Sequence, residues 1–461
     1  MTLTSDQENA KALAALLGIA EDDAAQRLKF RVAVTFDPAD EASHKIGTHV
    51  IRLLNRTIDY AGISDQSVFA VEIILGPHAP ATSAPNRVYA GQRGSAFVID
   101  GSGPLLPSDP LTPPPLLVVA ACYIAAAAVR VALGPSFPIQ NSAPVVLPWG
   151  EVFGPHLERL ALPLDIGETY LAGAGAVGHG FIYTLCCFDV TGTLYIADPK
   201  KVTPGGLNRC LLFNSDDLGH PKASRLCEVA KPSFPQLTLV PVDATLNEAR
   251  KSRGTDFLVQ RLVVSVDSRR ARRSLQSELP GAVFDASTTG VSEVVLHFNR
   301  QPTELACLSC VYPESERERK HEENVAEALG LTVQEVRKGF IDSAIAAKIC
   351  ARYPDLRTAD LIGRAFDTVY KELCGIGKLK SVGGQQVLAP FSFVSVLAGA
   401  YLAIEFALRL SDAKDTRFNY WRVSPWHSPV PALRQTRPRD SQCEFCGIPL
   451  LRRVLRQLWG S

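Results

Sequence analysis

Short apolar runs alternate with amphipathic segments along the first part of the chain, which is typical of an α/β fold. Residues 1–29 are predicted to be helical, because charged residues alternate there with alanine and leucine. After them the pattern predicts a strand over 32–36, a helix over 45–61 and a strand over 68–75. The proline-rich stretch 103–115 then breaks the regular pattern before an alanine-rich helix.

A second α/β unit with stronger signals begins around residue 160. Its first helix is predicted to start in the glycine-rich segment 173–180 and to run through Cys187. The strands predicted for this unit cover 168–172, 192–198, 237–242, 261–266 and 291–298. Residues 314–373 are charged and show helical spacing, so they are predicted to form a helical insert.

The two halves share an order of strand, helix, strand and a proline-bearing approach to an alanine-rich helix. That helix ends near Arg130 in the first half and near Arg409 in the second. We interpret the order as a weak internal duplication, with two generic Rossmann-like units as the alternative. The first copy has an acidic turn, DPADEASHKIG, without paired glycines, so it lacks the free backbone amides that a phosphate needs.

Two segments, 116–134 and 391–410, are long and apolar enough to resemble membrane spans. Each carries a charge near its C-terminal end, Arg130 or Glu405, and is rich in alanine rather than leucine. These features favour buried core helices over membrane helices. The N-terminus lacks the basic and apolar regions of a secretory signal, so we expect a cytoplasmic protein without a membrane partner.

The charge balance and the composition exclude several functional classes. With 48 Lys+Arg against 47 Asp+Glu, the formal net charge of +1 provides no field that would attract nucleic acid. A charged fraction of 21% and an apolar fraction of 46% exclude a disordered chain. The length favours roughly three domains.

Four of the eleven cysteines form two C-x-x-C pairs, Cys307/Cys310 and Cys443/Cys446. Two such pairs can complete the closed tetrahedron of a structural Zn²⁺ site, which has no open position for catalysis. The ion would join the end of the chain to its middle. Two unrelated pairs of small apolar cysteines are the alternative.

A glycine-rich motif lies between the first strand and the first helix of the second unit. Gly173, Gly175 and Gly178 match G-x-G-x-x-G, and Asp198 ends the next strand 20 residues after Gly178. The glycines allow backbone amides to approach a phosphate, and the aspartate can accept hydrogen bonds from ribose hydroxyls. By itself this signature most often indicates a nicotinamide or flavin enzyme.

The residues after Asp198 favour a nucleoside triphosphate instead. Asn208, Arg209 and Lys222 form a cationic set that a triphosphate needs and a hydride-transfer site does not. Asp267 ends the strand RLVVSV, where a carboxylate can hold Mg²⁺ on phosphates or cap the following helix. Arg272 is interpreted with equal weight as a surface residue or as a ligand.

Six segments in order, GAGAVG, IADPKKVTPGGLNRCLLF, LGHPKASRL, VDSRRARRSL, CLSC and CEFCG, resemble the ThiF/MoeB-type adenylyltransferases and the related ubiquitin-like-protein activating enzymes. The resemblance covers about 165–447 and implies a Rossmann-like, doubly wound, mostly parallel sheet. Three residues depart from the family pattern. These are Gly206, Cys210 and Ser268, which replace an asparagine, a glutamine and an asparagine.

The resemblance also implies the roles of the candidate residues. ATP would be held by Gly173, Gly175, Gly178 and Asp198. The phosphates would contact Arg209 and Lys222 with Asn208 beside them, and Asp267 would bind Mg²⁺.

Activating enzymes pair an active domain with a degenerate one, and residues 30–155 resemble the degenerate partner. The active domain is then expected over 156–313 and 380–461, interrupted by a helical insert over 314–379 that carries the catalytic cysteine. An arginine of the partner lobe often reaches the active site in this family. Arg52 and Arg56 lie on a plausible helix for that role.

The implied reaction is adenylation of the C-terminus of a ubiquitin-like β-grasp protein, followed by a thioester and transfer to a conjugating enzyme. Cys374 is the favoured nucleophile, because Gly-Ile-Gly and two lysines follow it, and this flexible, locally cationic setting favours the thiolate. Cys350 and the absence of a catalytic cysteine remain open. Cys122, Cys186 and Cys187 lie in apolar helices and are expected in the core.

Other functions share parts of this pattern. A sulfur-carrier adenylyltransferase would use the same ATP residues, whereas a nicotinamide-dependent oxidoreductase would not need Lys222. A non-catalytic zinc-stabilised interaction module would need neither the ATP residues nor Lys222 for a reaction.

The fused degenerate lobe resembles bacterial ubiquitin-like conjugation systems, including those of antiphage operons, and a homodimer remains open. The C-terminal helix is interpreted as a cap of its own domain or, less favoured, as a docking helix.

Overall fold

The computed structural model describes the chain except for residues 1–3, 64–66, 140–143, 254–257, 363, 365, 367–368, 371–372, 374–387, 412–417 and 461. The described residues form two α/β lobes, each built on one sheet. The strands are β1 (Arg31–Thr35), β2 (Tyr60–Ile63), β3 (Val71–Leu75), β4 (Asn86–Arg93), β5 (Ala96–Asp100), β6 (Val145–Leu147), β7 (Leu164–Ala172), β8 (Val190–Ala197), β9 (Leu237–Val242), β10 (Arg261–Val264), β11 (Ala282–Thr289), β12 (Glu293–Arg300) and β13 (Tyr420–Val423).

Helices connect the strands in both lobes. They are α1 (Ser5–Leu17), α2 (Glu21–Arg27), α3 (Glu41–Leu54), α4 (Pro114–Leu133), α5 (Trp149–Phe153), α6 (Ala176–Leu185), α7 (Lys222–Ala230), α8 (Leu246–Arg253), α9 (Arg269–Gln276), α10 (Leu308–Val311), α11 (Glu316–Leu329), α12 (Val333–Val336), α13 (Ser343–Arg352), α14 (Thr358–Leu361), α15 (Ser392–Leu410) and α16 (Pro449–Trp459).

The two sheets share one topology. The first has the order β2-β1-β3-β4-β5-β6 and the second β13-β12-β11-β10-β7-β8-β9. When the first order is read from β6 to β2 and β9 is left out of the second, the two orders match strand for strand. In both sheets the last two strands along the chain are antiparallel to each other, and the earlier of the two is also antiparallel to its other neighbour. The connection between those two strands contains α4 in the first lobe and α15 in the second. This agreement favours the predicted duplication over two unrelated units.

The core lies between the two sheets, where the long helices α4 and α15 pack against each other. The Tyr123 and Tyr401 hydroxyls are 3.3 Å apart across this contact. Both helices are long and apolar enough to cross a membrane, but 78% and 89% of their most apolar windows are buried inside the fold. Interior packing therefore accounts for both apolar segments, as their alanine content predicts.

Two glycines allow α6 and α15 to pack at close distance. A Cβ atom on Gly180 would lie 2.8 Å from the Val396 Cα atom, and one on Gly399 would lie 2.2 Å from the Phe181 nitrogen. Both approaches are sterically forbidden, so the second lobe requires glycine on both helices.

The helix predicted over 45–61 is wrong at both ends. The carboxylate of Asp40 caps the helix by accepting from the Ala42 N–H group at 3.2 Å, so α3 begins at Glu41. It ends at Leu54, because the next apolar run forms β2 in parallel register with β1. Several strands were also not predicted: β4, β5, β6, β11 and β13.

The helices α11 to α14 pack around a small apolar cluster of their own. Ion pairs connect this group to α9: Arg270 with Glu322 at 2.7 Å and Arg273 with Glu318 at 2.7 Å. The helical segment is thus attached to the helix that directly follows Asp267 and Ser268.

Candidate active site

The glycine-rich turn joins the end of β7 to the start of α6. Gly173 has φ +103°, and a Cβ atom there would lie 3.0 Å from Ser265. A Cβ atom on Gly178 would lie 2.4 Å from the Gly173 carbonyl oxygen, whereas one on Gly175 would meet nothing within 4 Å. The fold therefore requires two of the glycines, and the third borders open space at a helix N-terminus that has no side-chain cap.

Asp198 holds this turn in place. Its buried carboxylate accepts hydrogen bonds from the Ala174 N–H and the Lys200 N–H groups, both at 2.8 Å. Each carboxylate oxygen can accept a further bond, so a ribose hydroxyl remains a compatible ligand. The Ser265 hydroxyl adds a bond to the Gly173 carbonyl at 2.7 Å, and this residue was not among the predicted site residues.

Asp267 lies at the carboxyl edge of the second sheet, just after β10, and is paired with Lys200. The Lys200 Nζ atom is 2.7 Å from Asp267 Oδ2, and the aspartate side chain is 77% exposed. The Lys200 ammonium holds the pKa of Asp267 well below its usual range, so the carboxylate stays ionised. The capping role considered for Asp267 belongs to Ser268 instead, whose hydroxyl accepts from the Ala271 N–H group at 3.0 Å.

A hard, ionised and exposed carboxylate is a fitting donor for Mg²⁺, which commonly binds through one or two carboxylates plus substrate phosphates. Lys200 is the second residue that the sequence analysis missed. Its only signal was its position, as a basic residue two positions after Asp198, the acid that directly follows β8.

Lys222 joins the same group of residues. It is the first residue of α7, and its N–H group donates to the Lys200 carbonyl at 2.9 Å. Its positive charge acts on Asp267 together with that of Lys200. Within the described part of the chain the Lys222 ammonium has no ion-pair partner, so it can meet an anionic ligand.

Arg209 is oriented by its own loop, residues 204–214. The Nη1 atom donates to the Gly205 carbonyl at 2.9 Å and to Asn208 Oδ1 at 2.8 Å. The Asn208 amide is buried and donates to Asn9 Oδ1 at 2.8 Å. Asn208 is therefore engaged with helix α1 and orients Arg209, and its place beside a ligand stays a prediction.

The two arginines considered for the partner-lobe role brace the same loop. Arg56 donates to the carbonyls of Leu207 at 2.8 Å and Phe213 at 2.6 Å. Arg52 donates to the Leu211 carbonyl at 3.5 Å and lies over the Tyr183 ring, 5.1 Å from its centroid. Both side chains therefore act across the lobe interface, and Arg56 does so through backbone carbonyls of the loop that carries Arg209.

One buried and one partly buried histidine support this interface. His179 Nδ1 accepts from the Leu212 N–H group at 3.1 Å, and burial with the charges of Lys222 and Arg56 holds the pKa of His179 well below its ordinary value. His49 Nδ1 lies 2.5 Å from the Tyr183 hydroxyl, and burial lowers the pKa of His49 to about 4. Both imidazoles are neutral at pH 7.

Arg272 is neither a surface residue nor a ligand. Its guanidinium is buried and pairs with the buried Asp285, and it also donates to the Ala286 carbonyl at 3.1 Å. The partner lies on β11, a strand that the sequence pattern did not reveal. The prediction of an exposed or ligand-binding arginine was therefore wrong.

The first lobe fills the corresponding turn with an aromatic side chain. Phe36 directly follows β1, as Gly173 follows β7. A Cβ atom on Gly47 would lie 2.6 Å from the Phe36 ring, which also stacks on His44 with 5.7 Å between centroids. An aromatic ring thus occupies the place where the second lobe keeps glycines, as expected for a degenerate copy.

The four cysteines of the two C-x-x-C pairs meet in one cluster. The sulfur atoms are 3.7 Å apart for Cys307–Cys310 and Cys307–Cys443, and 3.2 Å apart for Cys310–Cys446. All four lie within 4.8 Å of one another. Zn–S bonds of about 2.3 Å in a tetrahedron require sulfur separations of about 3.8 Å, so the four thiolates fit a structural Zn²⁺. The alternative of two unrelated pairs is wrong.

The cysteines considered as nucleophiles or as core thiols lie in different settings. Cys374, the favoured nucleophile, lies outside the described residues. Burial raises the pKa of Cys122 far above its usual range, that of Cys186 to about 11 and that of Cys187 to about 12. Cys122 is a buried core thiol, as predicted. Cys186 and Cys187 follow the end of α6 at Leu185 and are partly buried against the core, so the prediction that both lie in a helix is wrong. Cys350 is partly buried on α13 against the apolar cluster of the helical segment.

The C-terminal helix α16 packs on its own lobe. Leu455 is buried next to the cysteine cluster, and the Trp459 indole donates to the Leu279 carbonyl at 3.0 Å. The expectation that this helix caps its own domain is thus supported.

Comparison with known proteins relates most of the chain to one family. Residues 164–445 match the ThiF family, and residues 2–152 match the E1 N-terminal domain. The uncharacterized protein y4jF of Sinorhizobium fredii (strain NBRC 101917 / NGR234) is 26% identical over 299 residues, which cover 60% of this chain and 56% of that protein. The chain thus matches little more than half the length of this relative.

Solved structures give weaker similarities. E. coli MccB with ATP has 14% identity and a TM-score of 0.35, over 78% of this chain and 98% of MccB. PaaA has 10% identity and a TM-score of 0.33, over 56% of this chain and 61% of PaaA.

Proposed function

Because this chain belongs to the ThiF family, we propose that it is an ATP-dependent activating enzyme that adenylates the C-terminus of a ubiquitin-like protein. Its α/β fold is of the ThiF type, and it also carries an E1-like N-terminal region, as the matches show. The observation that carries the proposal is the grouping of Asp198, Lys200, Lys222 and Asp267 around the turn at Gly173.

ATP would bind with its phosphates at the open face of the turn. Gly175 borders unfilled space there, and the first N–H groups of α6 favour an anion. Asp198 would accept from the ribose, while Lys222 and Arg209 would meet the phosphates. Three phosphates carry up to four negative charges, which explains why a triphosphate suits this set better than a dinucleotide.

A Mg²⁺ ion held by Asp267 would neutralise charge on the phosphates. The protein groups supply binding and orientation for the step. A carboxylate oxygen of the carrier's C-terminal residue attacks the α-phosphorus, and the bond from that phosphorus to the bridging oxygen breaks. The products are an acyl-adenylate and pyrophosphate, and no general base is needed, because the carboxylate is already an anionic nucleophile.

A second step would transfer the acyl group to a cysteine thiolate, releasing AMP. We propose Cys374 for this role, with Cys350 as the alternative nucleophile in the same segment. A conjugating enzyme would then accept the acyl group by thioester exchange. The four-cysteine site would hold Zn²⁺ as a structural ion, and we infer a cytoplasmic location for this chemistry.

Exchange of labelled pyrophosphate into ATP tests the first step. The assay uses a small β-grasp protein that ends in glycine, and it compares the wild type with Asp267→Ala and Lys222→Ala. The wild type is expected to exchange pyrophosphate into ATP only when the carrier is present. Both substitutions are expected to abolish this exchange. No exchange with any such carrier would refute the adenylation proposal.

A thioester trapped without reductant tests the second step. A carrier adduct that is lost on reduction and absent from Cys374→Ala is expected. Full exchange with no adduct in the wild type would favour sulfur-carrier activation instead.

A further inference from the structure

We propose that Lys200 is a built-in cation of the nucleotide site, which competes with the divalent ion for the Asp267 carboxylate. This inference rests on the proposed function. Before Mg²⁺ and ATP bind, the Lys200 ammonium neutralises the Asp267 carboxylate. After they bind, the ammonium is displaced from it.

The position of Lys200 is fixed by its backbone. Its N–H group donates to Asp198 Oδ1 at 2.8 Å, and its carbonyl accepts from the Lys222 N–H group at 2.9 Å. The side chain therefore starts between the predicted ribose acid and the predicted phosphate lysine. From there it reaches Asp267 Oδ2 at 2.7 Å.

The contact places a positive charge on one oxygen of the carboxylate that would hold the metal ion. A carboxylate can accept from both groups, but a divalent ion and an ammonium group on one carboxylate repel each other strongly at such short range. Binding of Mg²⁺ at Asp267 would therefore move the ammonium away. The freed ammonium would remain beside the phosphates together with that of Lys222.

The exchange is energetically accessible because the carboxylate is open to solvent and the ammonium is partly exposed. The Asp267 side chain is 77% exposed and that of Lys200 is 29% exposed. Exposed ion pairs contribute little to stability, so displacement of the ammonium costs little. The cost is still large enough to raise the Mg²⁺ concentration at which the nucleotide complex forms.

The test measures nucleotide binding rather than turnover. Calorimetric titrations with α,β-methylene ATP, whose carbon bridge between the α- and β-phosphorus cannot be cleaved in adenylyl transfer, are run over a series of Mg²⁺ concentrations. The quantity compared is the Mg²⁺ concentration that gives half of the maximal gain in affinity. The proteins are the wild type, Lys200→Met and, as a matched control, Lys201→Met. Lys201 is the exposed neighbouring lysine.

Lys200→Met is expected to lower this Mg²⁺ concentration about three- to fivefold, and to weaken binding of the nucleotide in EDTA. Lys201→Met is expected to match the wild type. An unchanged or higher Mg²⁺ requirement in Lys200→Met would overturn the inference, while the wild type would still bind the nucleotide. Failure of every protein to bind the nucleotide would instead overturn the proposed function, provided that circular dichroism shows each to be folded.

Discussion

The Asn208 amide donates a hydrogen bond to Asn9 Oδ1 at 2.8 Å, and this bond joins the N-terminal helix to the loop that carries Arg209. Asn9 in turn donates to the Arg56 carbonyl at 2.7 Å. Asn208 Oδ1 accepts from Arg209. A relay of buried amides thus connects the first lobe to a predicted phosphate ligand.

Asn9→Ala is expected to weaken ATP binding about tenfold. The substitution leaves the buried Asn208 amide without its partner, which costs about 1–3 kcal/mol, and Arg209 loses its fixed orientation. Calorimetric titration with ATP measures the effect. Ser5→Ala is the matched control. Ser5 lies on the same helix as Asn9, and its hydroxyl donates to the Pro204 carbonyl at 3.1 Å. Equal affinities in the two variants would contradict the relay.

Gly175→Ala and Gly178→Ala are expected to separate binding from folding. A methyl group on Gly178 would collide with the Gly173 carbonyl at 2.4 Å, so that variant should lose about 1–3 kcal/mol of stability. A methyl group on Gly175 enters open space, so that variant should keep its stability within about 0.5 kcal/mol. It should nevertheless bind ATP more weakly, because the phosphates need the same space. Thermal unfolding and ATP titration check both results. Wild-type ATP affinity in Gly175→Ala would show that the phosphates lie elsewhere.

Cys443→Ser is expected to lose the bound zinc and several kcal/mol of stability, because binding energy at a structural zinc site is folding energy. Elemental analysis of the purified protein and thermal unfolding with and without a chelator measure both effects. Cys350→Ser, which lies outside the cluster, should keep one zinc ion per chain. Retention of zinc by Cys443→Ser would contradict the four-thiolate site.

Acid is expected to destabilise the fold through His49 and His297, whose pKa values burial lowers from 6.5 to about 4. Between these values the unfolded chain binds more protons than the folded one, so stability falls as the pH falls from 6.5 toward 4. At pH 5 each histidine contributes a loss of about 2 kcal/mol. Denaturant unfolding at pH 7.5 and pH 5 measures the loss. His49→Gln should lose about 2 kcal/mol less between these two pH values than the wild type does, and an identical loss would contradict the assignment.

The sequence reveals local signals well. The glycines at 173, 175 and 178 and the acid at 198 form one short-range motif, so their place at a strand-to-helix turn could be predicted. The cysteine pairs could be joined because zinc chemistry demands four ligands. The similar order of elements also pointed to two related lobes, which the sheet topology supports.

Pairings across the chain were not accessible in this way. Lys200 meets Asp267 over a separation of 67 residues, and Asn208 meets Asn9 over 199. Neither partner has a signature that announces the other. Arg272 was interpreted with equal weight as a surface residue or a ligand, because its partner Asp285 lies on a strand whose pattern is too weak to predict. The short strand β2 was likewise predicted in part as the end of the neighbouring helix.

Direct binding of ATP is the most decisive measurement for this account. Calorimetry should give one ATP per chain in the presence of Mg²⁺, with an affinity at least about tenfold weaker in Lys222→Ala, because charge-assisted bonds to phosphate are lost. NAD⁺ should not compete. Tight binding of NAD⁺ that is indifferent to Lys222→Ala, with no binding of ATP, would contradict the central claim.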